Sequence, residues 1–291
     1  MKKFLFWSFA VILTLAAVQF QRRTGPTKSV YEQFSYKGKD YSTSLQRSAE
    51  TPVTHKESKG DYKSLGKKAN VLVHIDGLPD EIEGRFIYSL YPGNWPSDTI
   101  QSFRNGSAFL NFLPAQPAAG KIKYKFILYS SSDTLSVNKT EIKLGGEGVV
   151  LRFKGHVPLA VLIPHIILMF IAMLLANYIG IASFSKEINI NNNAVVLLVI
   201  LGIGGLVLGP LVQKFAFGEF WTGWPFGEDL TDNKTLFAFI IWSLAWFFNR
   251  KKARRYLYLI AAVVMLLVYS IPHSTAGSEY DHSKGQVVTG K

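Results

Sequence analysis

Histidine is the residue type in this chain best suited to binding a cofactor or a metal, and four of the six copies lie around apolar segments. His156 precedes one apolar run, and His165 lies nine residues further along it, about 13 Å on a helix. His273 follows the last apolar run, and His282 lies in the polar tail behind it. Because neutral imidazole binds haem iron and divalent metals, these positions are the first candidates for chemistry.

A second candidate feature is the stretch FGEFWTGWPFGEDLTDNK, residues 217–234, which separates two apolar runs. Short loops between membrane helices are usually polar and turn-forming, but this one carries Trp221 and Trp224. It also contains four carboxylates: Glu219, Glu228, Asp229 and Asp232. Three interpretations of the loop and the histidines remain open: a structural one, a haem site and a metal site.

In the structural interpretation, the tryptophans belong to an aromatic belt at the membrane interface. The carboxylates then cap the helix that follows and balance Lys214 and Lys234. This interpretation explains the aromatic residues and does not require the histidines.

In the haem interpretation, an aromatic surface around Trp221 and Trp224 receives a porphyrin, and His156, His165 and His273 supply axial ligands. His165 is of special interest because an ionisable residue inside an apolar span usually has a function. The alternative for His165 is a packing role, with its ring hydrogen-bonded to the backbone of a neighbouring helix.

In the metal interpretation, the tail segment HSTAGSEYDH supplies the ligands His273, Glu279, Asp281 and His282. Imidazole and carboxylate groups of this kind suit Zn²⁺ or Mn²⁺. The spacing does not match a catalytic pattern such as HExxH.

Other functional classes find little support in the sequence. Ser183, Ser185 and Ser243 have no paired base, so we expect no enzyme activity. The formal net charge of +12 comes without a basic helix or an aromatic RNA-binding motif, so we expect no nucleic-acid partner. Because the chain has no cysteine, it forms no disulfides, thiolate metal sites or covalent haem linkages of its own.

Long apolar runs predict the elements that position these residues. An N-terminal signal-anchor helix is expected at 1–21, and an uncleaved anchor is favoured over a cleaved signal peptide. A four-helix transmembrane bundle is expected over 156–273, with spans at 157–181, 194–213, 234–249 and 256–272. In the second of these spans, Gly205 and Gly209 predict a smooth face for close helix packing.

The orientation of the chain in the membrane follows from the number of membrane crossings. If all five segments cross the membrane, residues 22–156, the loop 214–233 and the C-terminal tail share one side. The loop 250–255, RKKARR, lies on the other side and is the densest positive run in the chain. Since positive loops favour the cytoplasm, we expect the shared side to be the periplasm of a bacterial inner membrane.

Short alternating runs predict a periplasmic immunoglobulin-like β-sandwich over 70–155. Residues 22–69 are expected to form a polar linker, with a hairpin or edge strand at 34–45. Residues 274–291 are expected to form a periplasmic tail that packs with the Trp-rich loop.

The arrangement of the loop and two histidines resembles the tryptophan-rich membrane haem-handling proteins of cytochrome c maturation. In that family, a Trp-rich external loop flanked by His-bearing helices presents haem. The resemblance covers Trp221, Trp224, Asp229 and the placement of His156 and His273. WTGWPFGED departs from the family motif, in which tryptophans, a glycine and an aspartate follow in tight succession.

Two longer phrases, GPLVQKFAFGEFWTGWPFGEDLTDNKT and IPHSTAGSEYDHSKGQVVTG, resemble bacterial envelope proteins with an N-terminal anchor, a β-sandwich and four further spans. The tail is also similar to the terminal GGxxxYxxG segment of small four-helix membrane proteins linked to haem. These resemblances imply a redox or haem-linked role without naming an activity.

The sequence therefore predicts a multi-pass inner-membrane protein that is not an enzyme. It is expected to bind haem b or to serve a redox membrane complex. The alternative is an envelope scaffold, in which the β-domain docks a periplasmic protein partner and the helices anchor it in the lipid bilayer.

Overall fold

The computed structural model describes residues 2–51, 68–130, 141–272 and 277–288. The chain divides into two compact units, each assembled from separated stretches of sequence. The helical unit consists of Met1–Pro26, Val157–Ser278 and Thr289–Lys291, and the β unit of Thr27–His156 and Glu279–Val288.

The helical unit contains, within the described residues, six α-helices and one π-helical segment. The helices are α1 (Lys2–Thr24), α2 (Leu159–Ala182), α3 (Asn191–Leu201), α4 (Gly209–Phe217), α5 (Leu230–Asn249) and α6 (Tyr256–Ser270). The π-helical segment, Gly202–Leu208, joins α3 to α4 without a break. Gly218 ends α4 in the left-handed conformation, with φ of 91°, which glycine adopts without steric cost.

Among the described residues, three helices are long and apolar enough to cross a membrane: α1, α2 and the continuous helix Asn191–Phe217. Helix α6 is apolar but shorter. Together with the β sheets described below, these helices confirm the predicted combination of membrane-type helices and a β domain.

Helix α1 packs into the helical unit through both ring and polar contacts. The ring of Trp7 stacks on Tyr178 of α2, with 4.2 Å between ring centroids. The amide of Asn177 donates to the hydroxyl of Thr14 at 2.9 Å, and that hydroxyl donates to the carbonyl of Ala10 at 2.7 Å. Buried polar side chains need such partners, so these bonds fix the position of α1 on α2.

Contacts at one end of the helical unit join the N-terminus to two connections. Lys2 forms an ion pair of 3.1 Å with Glu187 in the α2–α3 connection. Arg255, at the start of α6, donates to the carbonyls of Ile188 at 2.7 Å and Ala182 at 3.2 Å. The N-terminus, the α2–α3 connection and the α5–α6 connection therefore lie together.

The other ends of these helices meet in a second group of contacts. The amide of Gln21 in α1 donates to the carbonyl of Tyr269 at 3.0 Å. Lys234, in the first turns of α5, donates to the carbonyl of Ile271 at 2.6 Å and so satisfies an acceptor at the end of α6. The end of α1, the start of α5 and the end of α6 therefore lie together.

The β unit is built from short, alternating strands. They are β1 (Val30–Tyr36), β2 (Lys39–Leu45), β3 (Ser48–Glu50), β4 (Lys68–Ile75), β5 (Ile82–Tyr91), β6 (Asp98–Gln101), β7 (Phe103–Asn105), β8 (Ala108–Pro114), β9 (Lys121–Ser130), β10 (Ile142–Lys154), β11 (Glu279–Asp281) and β12 (Gln286–Val288). Strands β1 and β2 form an antiparallel hairpin in the region where an edge hairpin was predicted.

Ten of the described strands form two five-stranded sheets that share one hydrophobic core. The orders are β1-β2-β4-β8-β7 and β3-β10-β9-β5-β6. The chain changes sheet between β2 and β3, and β3 then pairs parallel with β10. The core is aromatic-rich and includes Phe86, Phe109, Tyr124, Phe126 and Phe153.

The C-terminal hairpin β11–β12 belongs to the β unit. The N–H of Tyr280 donates to the carbonyl of Ala119 at 3.1 Å, and Glu279 pairs with Lys121 at 2.7 Å. The tail was expected to pack with the Trp-rich loop. Its residue Ser278 does so, since its N–H donates to Asp229 at 3.0 Å, whereas residues from Glu279 onward have partners beside β9.

Candidate functional site

The Trp-rich loop is folded around the carboxylate of Asp232, in the first turn of α5. One oxygen of Asp232 accepts the N–H of Thr222 at 2.7 Å and the N–H of Gly223 at 3.0 Å. Gly223 is required for this approach, since a Cβ there would lie 2.6 Å from the Cβ of Asp232. Asn233 extends the arrangement by accepting the N–H of Trp224 at 2.6 Å.

Asp229 is the N-cap of α5 and has a second role. One of its oxygens accepts the N–H of Thr231 at 2.8 Å, as a helix N-cap does. The other accepts the N–H of Ser278 at 3.0 Å. The backbone N–H of Asp229 donates back to the carbonyl of Thr222 at 3.0 Å. Asp229 therefore joins the loop, the start of α5 and the segment that follows α6.

A buried hydroxyl connects these two carboxylates. The Thr222 side chain lies 3.1 Å from Asp229 and 3.3 Å from Asp232, and it receives a hydrogen bond from the amide of Gln213 in α4. Asp229 and Asp232 are both buried. Two of the four loop carboxylates thus have structural roles: Asp229 caps α5, as the structural interpretation describes, and Asp232 holds the loop, which that interpretation did not predict.

The aromatic side chains of the loop point outward from this polar network. Trp224 is 69% exposed and Phe226 is 82% exposed. The indole N–H of Trp221 donates to the carbonyl of Trp224 at 3.0 Å, which fixes the two tryptophans relative to one another. The loop is therefore a hydrogen-bonded support for exposed aromatic rings.

His165 lies on α2 and faces the π-helical segment. Its Nδ1 is 2.8 Å from the carbonyl of Gly204, so this nitrogen carries the proton and donates. The same carbonyl accepts the N–H of Gly209, five residues further on. This contact is a hydrogen bond to the backbone of a neighbouring helix, which is the packing role considered for His165 in the sequence analysis. The Nε2 atom keeps its lone pair for a ligand, because the Nδ1–H bond sets the tautomer.

The other two predicted axial ligands are not brought to His165 by the described contacts. His156 belongs to the β unit, is exposed, and has its Nδ1 3.6 Å from Glu50. His273 lies outside the described residues. Of the two predicted haem ligands that the structure describes, His165 and not His156 has an orienting hydrogen bond of the kind that ligating histidines make.

The predicted metal ligands of the tail have other partners. Glu279 pairs with Lys121. Asp281 accepts from the side chain and N–H of Ser283, and these bonds hold the pKa of Asp281 below its usual range. The ring of His282 lies against Trp95 and Tyr280. Within the residues that the structure describes, no group of three or more His, Asp and Glu side chains is placed to hold a metal ion.

A surface feature that the sequence analysis missed lies on the outer face of the first sheet. Leu110 of β8 is the direct cross-strand neighbour of Leu72 in β4 and of Phe103 in β7. The ring of Phe103 also contacts the ring of Phe112, with 5.8 Å between the ring centroids. We call these four residues the apolar row. Phe103 is 61% exposed and Leu72 is 40% exposed. The sequence signal that could have revealed this surface is the occurrence of hydrophobic residues at successive positions in β4 and β8.

Comparison with known proteins identifies no relative. No family model, no curated protein and no solved structure matches this chain.

Proposed function

We propose that this chain is a non-enzymatic, multi-pass protein of the bacterial inner membrane whose β unit docks a periplasmic protein partner. The two groups of contacts at the ends of the helices support five membrane crossings. One group holds the N-terminus with the α2–α3 and α5–α6 connections, and the other holds the end of α1 with the start of α5 and the end of α6. Five alternating crossings require this arrangement. The α5–α6 connection carries Arg250–Arg255 and lies with the N-terminus, which favours the cytoplasm for that end.

An immunoglobulin-like assignment of the β unit is supported by its strand order. Immunoglobulin-type sandwiches pair strands A-B-E-D in one sheet and G-F-C in the other. In the first sheet β2, β4, β8 and β7 take the places of A, B, E and D, and in the second β10, β9 and β5 take those of G, F and C. Sandwiches of this kind occur in many cell-surface proteins, although the fold alone does not determine a function.

The apolar row is the observation that carries the docking proposal. A single exposed hydrophobic residue is ordinary, but this row runs in register across three strands. The exposed polar residues Asn70 and Asn105 flank it. A small apolar centre with a polar rim is the usual anatomy of a protein interface, and aromatic residues supply much of its binding energy.

Site-specific photocrosslinking in cells tests this proposal. A benzophenone amino acid replaces Phe103, and the matched control replaces Lys125, which is exposed on a strand of the second sheet. We expect a discrete adduct with another protein from position 103 and not from position 125. Identical adduct patterns at both positions, or an adduct only with a second copy of the chain, would contradict docking of a protein partner.

Haem b binding is a second candidate, favoured by the geometry of His165. Ligating histidines almost always donate the N–H of their second ring nitrogen to a carboxylate or a backbone carbonyl. The Nδ1–H of His165 donates in this way to the carbonyl of Gly204. His165 therefore fits the role of one axial ligand through Nε2. A bound haem would supply one-electron chemistry, while the protein would hold and orient it.

An absorption spectrum of the protein purified in mild detergent, oxidised and then reduced, tests the haem candidate. We expect a Soret band that shifts on reduction and is lost in His165→Ala but retained in His156→Ala. A spectrum without that band after haem is added, or a band unchanged in His165→Ala, would remove this candidate.

A further inference from the structure

The connection between α5 and α6 is rich in positively charged residues and contains no acidic residue. Five of its six residues are cationic: Arg250, Lys251, Lys252, Arg254 and Arg255. The chain has no acidic residue between Asp232 and Glu279. Within the described parts of the chain, the ion pairs involve other residues. Arg250, Lys251, Lys252 and Arg254 are therefore available to an anion from outside the protein.

The turn is held in shape by Asn249, which is buried. Its amide N–H group donates to the carbonyls of Ala245 at 2.8 Å and Arg254 at 3.2 Å, and its oxygen accepts the N–H of Arg254 at 2.7 Å. A preorganised turn of this kind loses little conformational entropy when it binds a ligand.

Two guanidinium groups of the turn lie over aromatic rings of α5. Arg250 is 5.1 Å from the ring centroid of Trp246, and Arg254 is 5.9 Å from that of Phe248. Phe247 and Phe248 are both exposed on the surface of the helical unit. The cations therefore lie at the edge of an apolar surface, as a lipid headgroup lies beside its acyl chains.

We propose that this turn binds the phosphate of an anionic phospholipid, with the acyl chains against Phe247 and Phe248. Arg250, Arg254 and the two lysines contact the headgroup, whereas Arg255 is already engaged with the carbonyls of the α2–α3 connection. A lipid fits better than free phosphate because the cations adjoin exposed rings. This inference rests on the proposed membrane embedding of α5 and α6 and is independent of the docking and haem proposals.

Native mass spectrometry of the delipidated protein, titrated with phosphatidylglycerol or phosphatidylcholine, tests the site. We expect one phosphatidylglycerol to bind more tightly than phosphatidylcholine. Each cation near a membrane surface contributes about fivefold to such binding, so Arg250→Gln with Arg254→Gln is expected to weaken it about 25-fold. The matched control, Arg22→Gln with Arg23→Gln, removes two exposed cations from the opposite end of α1 and is expected to leave this lipid bound.

Three results would overturn the proposal. They are equal binding of both lipids, unchanged phosphatidylglycerol binding after the two arginine substitutions, and equally tight binding of the soluble headgroup glycerophosphoglycerol. Binding of both lipids with equal affinity would still be consistent with membrane embedding, so failure of the lipid site is distinguishable from failure of the proposed architecture.

Discussion

The carboxylate of Asp232 accepts the backbone N–H of Thr222 at 2.7 Å, across the loop that joins α4 to α5. Both residues are buried, and the same carboxylate also accepts the N–H of Gly223. One side chain thus satisfies two backbone donors that the loop could not pair by itself. The aromatic residues of the loop are presented to the outside by this internal polar network.

Replacement of Asp232 by alanine is expected to loosen the Trp-rich loop. The N–H groups of Thr222 and Gly223 would lose their acceptor, at a cost of about 1–3 kcal/mol for each buried unsatisfied group. Hydrogen exchange of a peptide covering residues 218–226 should accelerate by about five- to a hundredfold. Glu228→Ala is the control, since Glu228 is an exposed carboxylate of the same loop. Unchanged exchange in Asp232→Ala would show that the network does not hold the loop.

Substitution of Gly205 by alanine is expected to destabilise the helical unit. The new Cβ would lie 2.7 Å from Cγ2 of Thr235, whose hydroxyl is bonded to the carbonyl of Thr231 and so cannot easily turn away. Overpacking of this kind costs about 1–3 kcal/mol and should lower Tm by several degrees. Gly202→Ala meets only Phe239 at 3.5 Å, an ordinary contact, and should leave Tm nearly unchanged. Equal Tm values for the two variants would argue against close packing at Gly205.

The ion pair between Lys121 and Glu279 is expected to stabilise the attachment of the C-terminal hairpin. Both side chains are largely buried at this contact, which favours coupling over the near-zero values of exposed pairs. A double-mutant cycle with Lys121→Met and Glu279→Gln, measured by thermal unfolding of the full chain, should give a coupling of about 1 kcal/mol. The pair Lys37–Glu81 has a similar distance of 2.9 Å but is more exposed, so its cycle should show no measurable coupling. Additivity at Lys121 and Glu279 would contradict the prediction.

Helix α1 is expected to remain attached to the protein purified from membranes. Its removal would strip Asn177 of the hydroxyl of Thr14 and uncover Tyr178, which stacks on Trp7. Intact-mass measurement should therefore give a chain that retains the region Lys2–Thr24. A mass that lacks this region would show that α1 is a cleaved signal segment and that its packing contacts are dispensable.

The helices and the β domain could be predicted from the sequence because their signals are local. Long apolar runs fix the positions of α1 and α2, and alternation fixes β4 and β9. The positions of Pro and Gly mark the turns between strands. Such patterns depend on neighbouring residues and do not require knowledge of distant contacts.

The site was harder to predict because its contacts are not local. Nothing near Asp232 in the sequence indicates that its carboxylate would serve the backbone of Thr222. Glu279 looked like a metal ligand because carboxylates and histidines are close in sequence, but its partner, Lys121, lies on a distant strand. The apolar row was missed because cross-strand register, which brings Leu72 to Leu110, cannot be read from either strand alone.

The central claim is that the apolar row docks a protein partner in the cell, and cysteine accessibility tests it most directly. Because the chain has no cysteine, Phe103→Cys and the control Lys125→Cys each introduce a single reactive thiol. A membrane-impermeant maleimide should modify both variants equally in purified, reconstituted protein. In native membranes at ordinary expression, position 103 should be protected and position 125 should react. Equal reaction of position 103 in native membranes and in pure lipid would contradict the account.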